Sequence, residues 1–523
     1  MNRLFKFTFA IFVLTSSAVL SQNQNQEDVI SLIIEEANDN SQLERLAHEL
    51  LDVVGPRLTG TPQKKHANDW LVAQYEKWGI AANNEQWGEW RGWERGVTHI
   101  DMVSPRLQTL KGTQLGWSPS TTKEGITAEV ITIPTFLDAI EFEQWLPKVK
   151  GKIVLVSRQQ PTGRPDYNWE EFATEASFKK MKKERDARKT EWYKNIKRTG
   201  YKNTTGIITA LEKSGAVGII SSYWSGGFGA NKVFTAKTKH VPSLDMNLED
   251  YNMLYRLVDY GNKPQIRIVS ESKELGTVPT FNTIAEIRGT ETPKEYIILS
   301  AHLDSFDGSP GATDNGTGTI LMMEVMRILK KMNPNPKRTI LAGHWGAEEQ
   351  GTNGSKAFVE DHPEIIKNIQ VVFNQDNGTG RIVNLSGAGF MHSYEFLSRW
   401  LTEVPIDISK HIKTEFPGTP VRRGRGSSDN KSFLAADAVT FNLGALDWSY
   451  RDYTWHTNVD SYDKIVFDDV RSNVILTAIL TYMACEDPNR ASRQKAVLPL
   501  NPATGKRDLW PKPQSPTRKG GMD

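Results

Sequence analysis

The chain has 523 residues, 38% hydrophobic and 24% charged, with a mean hydropathy of −0.48, an ordinary balance for a globular protein and long enough that two structural units are expected. Its 64 basic and 62 acidic residues leave a net charge of +2, and setting aside Arg3 and Lys6 near the N-terminus leaves the two signs equal, so a polybasic nucleic-acid binder is excluded as a class. The single cysteine, Cys485, excludes intramolecular disulfides and cysteine-rich zinc sites.

Residues 1–21 read as an export signal: Arg3 and Lys6 precede the apolar run Phe7–Leu14, and Val19 and Ser21 suit the −3 and −1 positions of a cleavage site. A short membrane anchor is the alternative, but the run falls short of the roughly 20 residues a spanning helix needs. Val474–Ala484, the next most apolar stretch, is shorter still, so no stable membrane insertion is expected. The enzyme or binder would then be exported, to the periplasm or beyond the cell.

Glu27–Glu36 and Leu43–Val54 carry helical periodicity, ended by Gly55-Pro56, and a further helix is expected over Lys64–Lys77. From about 97 to 135 short strand-like runs alternate with turns. Residues 120–275 stand apart: Lys152–Ser157 and Gly218–Ser221 read as buried strands, and Thr209–Ser214 as a helix between them, which suggests a small α/β module. Within it Phe178–Arg198 holds ten Lys/Arg and three acids. That stretch reads as a solvated helix or a binding surface, with Trp192 and Tyr193 as an apolar side to dock on the neighbouring domain. From 276 onward, strands at Tyr296–Ser300, Arg338–Gly343 and Val371–Asn374 alternate with helices at Gly316–Lys331, from Ser355, and at Asp468–Ala484. This predicts an α/β fold with a mixed, mostly parallel sheet flanked by helices, whose ligands sit at the carboxyl ends of the strands. The Pro-, Lys- and Arg-rich tail over 488–523 is expected to be irregular.

His302 and Asp304, Glu348 and Glu349, and Asp376 each come just after one of those strands, Asp314 sits in the turn before a helix, and His456 comes later. Any one of them could be an ordinary loop residue. Together, two His and three carboxylates with a spare Glu suit two divalent ions that share a carboxylate. Adjacent Glu348 and Glu349 diverge, so one is read as a ligand and the other as a general base. Asp304 is placed to accept the N–H of His302 and orient the ring.

His302-Leu303-Asp304, Gly311-Ala312-Thr313-Asp314-Asn315, Glu348-Glu349-Gln350-Gly351 closed by Gly354-Ser355, Asn374-Gln375-Asp376, and His456-Thr457 with Asp460 and Asp463 resemble, in order, the motifs of the two-zinc exopeptidases of metallopeptidase family 28. The resemblance implies that His302 and Asp376 bind one zinc and Glu349 and His456 the other. It further implies that Asp314 bridges them, Glu348 is the general base and proton donor, and Asp304 orients His302. Two Zn²⁺ per chain are implied, and His/carboxylate sites also accept Co²⁺ or Mn²⁺.

Upstream, Gly55-Pro56-Arg57-Leu58-Thr59-Gly60 resembles the family's opening segment, and residues 119–275 resemble the protease-associated (PA) domain inserted in some members. These features are most similar to the carboxypeptidase Q branch. The implied organisation is a signal at 1–21, a peptidase domain split into 27–118 and 276–487, a PA-like insertion at 119–275 and a tail at 488–523.

Peptides are the implied partners, cleaved as dipeptides or short peptides from the carboxyl end or, alternatively, by an aminopeptidase; a homodimer is left open. Arg425, Ser428 and Asp429 resemble a stretch lining the substrate side, with Asn430 where the family often has His, and Tyr450, Tyr453 and Trp455 are candidates for the pocket wall. A metal-free binding homologue is opposed by the filled ligand positions. A serine hydrolase is opposed by the absence of a G-x-S-x-G elbow.

Overall fold

The computed structural model describes residues 26–418 and 428–521; the expected export signal and Arg425 lie outside the described residues. In chain order the strands are β1 (Ala81–Ser104), β2 (Gln108–Thr109), β3 (Gly112–Gln114), β4 (Ile126–Thr132), β5 (Ile153–Leu155), β6 (Gly218–Ser221), β7 (Ser243–Met246), β8 (Gln265–Ile287), β9 (Thr292–His302), β10 (Arg338–Trp345), β11 (Ile369–Asn374), β12 (Ile382–Ala388), β13 (Lys413–Gly418), β14 (Thr440–Ala445) and β15 (Lys519–Gly520). The main path runs β13-β12-β14-β11-β9-β10-β8-β4-β5-β6-β7-β3. β10, β9, β11 and β14 are parallel neighbours, while β8 and β12 flank them antiparallel. This is the mixed, mostly parallel α/β sheet that the pattern predicts.

The central strands are apolar throughout because both faces are covered. Ile297, Leu299, Val371 and Phe373 pack into one core with the helices Thr317–Met332 and Phe467–Glu486. The alternate residues Ile298, Leu341 and Val372 pack into another with Phe358 and Phe433. Cys485 is buried in the first of these cores, with its thiol donating to the Arg338 carbonyl at 3.3 Å. The N-terminal helices extend that core. One spans Pro62–Lys77 and is capped by Thr61, whose Oγ1 accepts the Lys64 N–H at 3.2 Å. Among the described residues no helix is long and apolar enough to cross a membrane.

The expectation of short strands over 97–135 fails at its start. β1 is a 24-residue strand beginning at Ala81, and it pairs antiparallel with β8 along nearly its whole length. Its sequence conceals this because Trp87, Trp90 and Trp93, all buried, recur every third residue rather than every second. The pairing is irregular here, with Trp87 the extra residue on β1 between Gln86 and Gly88 and Leu275 the extra residue on β8 opposite Gly92 and Trp93, and the three indoles share one apolar cluster.

β1 and β8 carry the chain out to a module with its own parallel run β4-β5-β6-β7 and its own cores. The basic helix, Glu175–Arg198, belongs to that module. Trp192 packs into the module's own core rather than on the neighbouring domain, and Tyr193 is exposed. The helix therefore docks where it arises, and most of its cations stay in solvent, while Arg185 pairs with Asp166 and lies over the Trp224 ring.

The module reaches the rest of the molecule through residues 223–236. Asn231 and Asn458 exchange hydrogen bonds, Asn231 N–H to Asn458 Oδ1 at 2.8 Å and Asn458 N–H to the Asn231 carbonyl at 3.0 Å. Val233 N–H donates to the His456 carbonyl at 2.7 Å, and Lys232 Nζ to that of Arg451 at 2.8 Å. The Asn231 side chain in turn donates to Asp245 at 2.6 Å and to the Met246 carbonyl at 2.5 Å inside the module. The tail is irregular, as expected, until it ends in β15 beside β1. Arg518 pairs with Glu360 at 2.9 Å and Asp361 at 2.7 Å, and Thr517 N–H donates to Asn353 at 2.8 Å.

Asn231→Ala removes the donor to Asp245 Oδ1, while Ser221 and Tyr223 still donate to Oδ2, and so leaves a buried carboxyl oxygen short of a partner, a cost of about 1–3 kcal/mol. The expected result is a lower thermal midpoint and faster hydrogen exchange at Val233 and Asn458, read by mass spectrometry. Unchanged exchange there would show that Asn231 does not hold this contact.

Candidate metal centre

Parallel strands end at one edge, and that edge gathers the polar residues. His302 is the last residue of β9, Glu348 and Glu349 come after β10, and Asp376 comes after β11. After Glu349 the chain reverses, with the Gly351 and Thr352 N–H groups both donating to the Glu348 carbonyl, at 2.7 and 2.9 Å. Asp314 comes from a turn opened by Gly311 in the left-handed region (φ 62°), where a Cβ would stand 2.5 Å from the Asp314 carbonyl oxygen, so only glycine fits. His456 arrives from the loop after β14 with φ 59°, a left-handed conformation unusual for a side-chain-bearing residue, and its carbonyl is held by Val233.

The two imidazoles face one carboxylate from opposite sides. His302 Nε2 lies 3.4 Å from Asp314 Oδ1 and 3.2 Å from Asp376 Oδ1. His456 Nε2 lies 3.2 Å from Asp314 Oδ2 and 3.0 Å from Glu349 Oε2. Two triads result, His302/Asp314/Asp376 and Asp314/Glu349/His456, each with its ligand atoms within 4.8 Å of one another. Imidazole nitrogen and carboxylate oxygen are the donor set of catalytic zinc sites, and Glu349 Oε1 is buried with no hydrogen-bond partner, so these residues fit two cations that share Asp314.

Asp304 acts differently from the sequence expectation. His302 Nδ1 is 2.9 Å from the Asp304 backbone carbonyl but 3.8 Å from its carboxylate. The carboxylate is taken up elsewhere, accepting the N–H of Glu348 at 3.1 Å and of Glu349 at 3.2 Å. One residue thus orients the imidazole through its backbone and the paired glutamates through its side chain.

Charge is unbalanced at this edge. Asp304, Asp314, Asp429 and Asp460 are buried together with His302, and Glu348, Glu349 and Asp376 stand beside them. Burial raises the carboxyls of Glu349, Asp429 and Asp460 to about 7 each. It holds Glu348 well above the usual range, with Asp376, Asp429 and Glu349 adding to the effect against the pull of His302. Burial opposes the charged form of His456 too, but Glu349 and Asp314 raise it to about 10. Asp314 alone falls below the ordinary carboxylate range, because the hydrogen bonds and charges of the two histidines outweigh its burial. Such a concentration of buried anions requires compensating positive charge.

Two cations of the opening segment supply part of it. Arg57 is fully buried and donates to the carbonyls of Leu303 at 2.7 Å, Pro310 at 2.5 Å and Gly311 at 3.2 Å, so it ties down the segments that carry His302 and Asp314. Burial lowers it only to about 10. Lys64, bonded to Asn68 at 2.8 Å, is lowered by burial to about 7 although Asp304 favours its charge.

Sequence reasoning named Arg57 only as part of a resemblance and passed over Lys64. Asp460, quoted within a motif but given no role, accepts the N–H of Thr313 at 2.9 Å and of Asp314 at 3.1 Å and so fixes the shared carboxylate. Ser428 and Asp429 are buried, and Asp429 lies close enough to His302 and Asp376 to feel their charges. Asn430 turns its Oδ1 back to the Ser428 N–H at 3.3 Å. Tyr450 is buried within the field of Asp314 and Asp376. Tyr453 is not at this centre: its hydroxyl meets that of Tyr167 in the module at 3.4 Å, because the ring turns toward Gly227. Trp455 does lie against His456, with ring centroids 4.1 Å apart, and Phe306 and Phe234 follow at 4.7 and 5.5 Å.

The sequence profile of Peptidase family M28 matches residues 282–479. Carboxypeptidase Q of Rattus norvegicus is 30% identical over 463 residues, which cover 84% of this chain and 91% of the relative; its counterpart in Homo sapiens is 29% identical over 67% of each. Among solved structures, a peptidase M28 precursor from Shewanella amazonensis superposes with a TM-score of 0.62 at 21% identity, covering 89% of this chain and 98% of its own. A zinc aminopeptidase from Bacillus subtilis gives 0.55 at 19%, covering 87% and 97%. At those identities the structures speak for the fold alone, whereas the likeness to carboxypeptidase Q extends over nearly its full length. The chain belongs to peptidase family M28.

Proposed function

We propose that this metallo-exopeptidase holds two zinc ions, one in each triad with Asp314 between them, and hydrolyses dipeptides or short peptides in the manner of carboxypeptidase Q. The observation that carries the reading is the placement of Asp314, one oxygen toward each imidazole at 3.4 and 3.2 Å. When bound, zinc at such a centre supplies Lewis acidity to a carbonyl oxygen and acidifies water.

The chain's own residues align the reactants and carry the proton. Asp304 aligns the amides of Glu348 and Glu349, which keeps Glu349 turned toward His456 and leaves Glu348 free of the second triad. The Glu348 carboxylate takes a proton from the attacking water as the water oxygen bonds to the peptide carbonyl carbon. The C–N bond then breaks, and Glu348 returns the proton to the leaving amine. A carboxyl raised by burial suits both halves of this exchange. The PA-like reading of the module and the export of the enzyme to the periplasm or cell exterior belong to the same proposal.

Glu348→Gln is expected to keep the metal content and lose about 10²- to 10⁴-fold in turnover; turnover near that of the parent would remove Glu348 from this role. His456→Ala is expected to lower the metal bound per chain by elemental analysis, with a matching loss of activity. A chelator should abolish hydrolysis in the parent, and added zinc should restore it.

A further inference from the structure

Beside Glu348 opens a cavity of about 530 Å³, within the range that holds a small ligand. The helix Asn353–Asp361 supplies Lys356 to its wall, the helix Asn430–Ala435 supplies Lys431, and the tail closes the far side with Pro511, Lys512 and Pro513. Among the described lining residues Glu348 is the one acid, against three lysines. Lys356 donates one hydrogen bond, to the Gly351 carbonyl at 2.9 Å. Lys431 is also half-buried, and its ammonium has no hydrogen bond or ion pair with a described residue. Burial disfavours both charges, Glu348 favours both, Asp429 also favours that of Lys356, and the charge of Lys356 disfavours that of Lys431. Two ammonium groups in one cleft, neither ion-paired to a described residue, form a receptor for an anion. A free amine entering the same cavity meets three like charges, and the only acid there is already engaged in proton transfer.

We propose that Lys356 and Lys431 bind the free C-terminal carboxylate of a short peptide, so that the cleft is read from the carboxyl end. This rests on the reading of Glu348 as the proton carrier of a peptidase site. In that pose the residue released is the one whose carboxylate the lysines hold, and its amine departs with the proton from Glu348.

The test uses the zinc-loaded full chain and one short peptide in three forms: free, N-acetylated and C-amidated. The C-amide is expected to lose about 10- to 100-fold in kcat/KM, the span of one to two charged hydrogen bonds, while the N-acetyl form is retained. Lys356→Met and Lys431→Met should lose a similar factor on the free acid, chiefly in KM, with little change on the amide, and Lys431→Arg should keep the preference. An amide cleaved as well as the acid, loss confined to the N-acetyl form, or lysine variants that lower acid and amide equally would each overturn the subsite while leaving the peptidase reading intact. Failure of the parent to cleave any form would overturn the peptidase reading itself, and the subsite with it.

Discussion

A carboxylate taken out of water must find positive charge, and Asp314 finds it on two sides at once. Its oxygens point to His302 and His456, and the rest of the centre is arranged so that they cannot point elsewhere. Gly311 gives the turn a conformation closed to other residues, Asp460 takes the consecutive amides of Thr313 and Asp314, and Arg57 fastens the carbonyls of Leu303, Pro310 and Gly311. The anions around Asp314 repel one another in a buried setting, so whatever cation settles among them stabilises the folded chain as well as the site.

His456, like Asp314, does not come from the end of a parallel strand. It stands in a loop with a left-handed backbone, and the hydrogen bond from Val233 joins its carbonyl to the module. Phe234, next in the chain, lies edge-on to the same imidazole. The module therefore contributes to the geometry of the centre without offering a ligand atom, and the path from its interior runs through Asp245, Asn231 and Asn458.

The legible part of the centre was legible for a physical reason. A parallel strand buried on both faces announces itself as an unbroken apolar run, and the residues at its carboxyl end lie on a known edge; His302, Glu348, Glu349 and Asp376 all arrive that way. Asp314 and His456 stand in irregular chain, and only their motifs identified them. The rest was settled by competition or by parity. Asp304 has a carboxylate and a carbonyl equally near in sequence to His302, and the demand of two amides for the carboxylate decided between them. β1 was hidden because its buried indoles recur every third residue and its pairing with β8 is interrupted by bulges. Asn231 and Lys431 carry no pattern at all; their importance comes from neighbours more than two hundred residues away in the first case, and from a cleft completed by the tail in the second.

That tail has a consequence for how the molecule is assembled. Residues 511–514 form one side of the cleft, held before them by Trp510, whose ring lies 5.1 Å from that of Phe390, and beyond them by Thr517, Arg518 and the short pairing of β15 with β1. β1 begins at Ala81, so the two partners of this pairing leave the ribosome far apart in time. The sheet can form and the paired glutamates can take their places while the cleft is still open on that side. The finished wall of the cleft is then fixed from both of its ends, by Trp510 on the core and by β15 on β1.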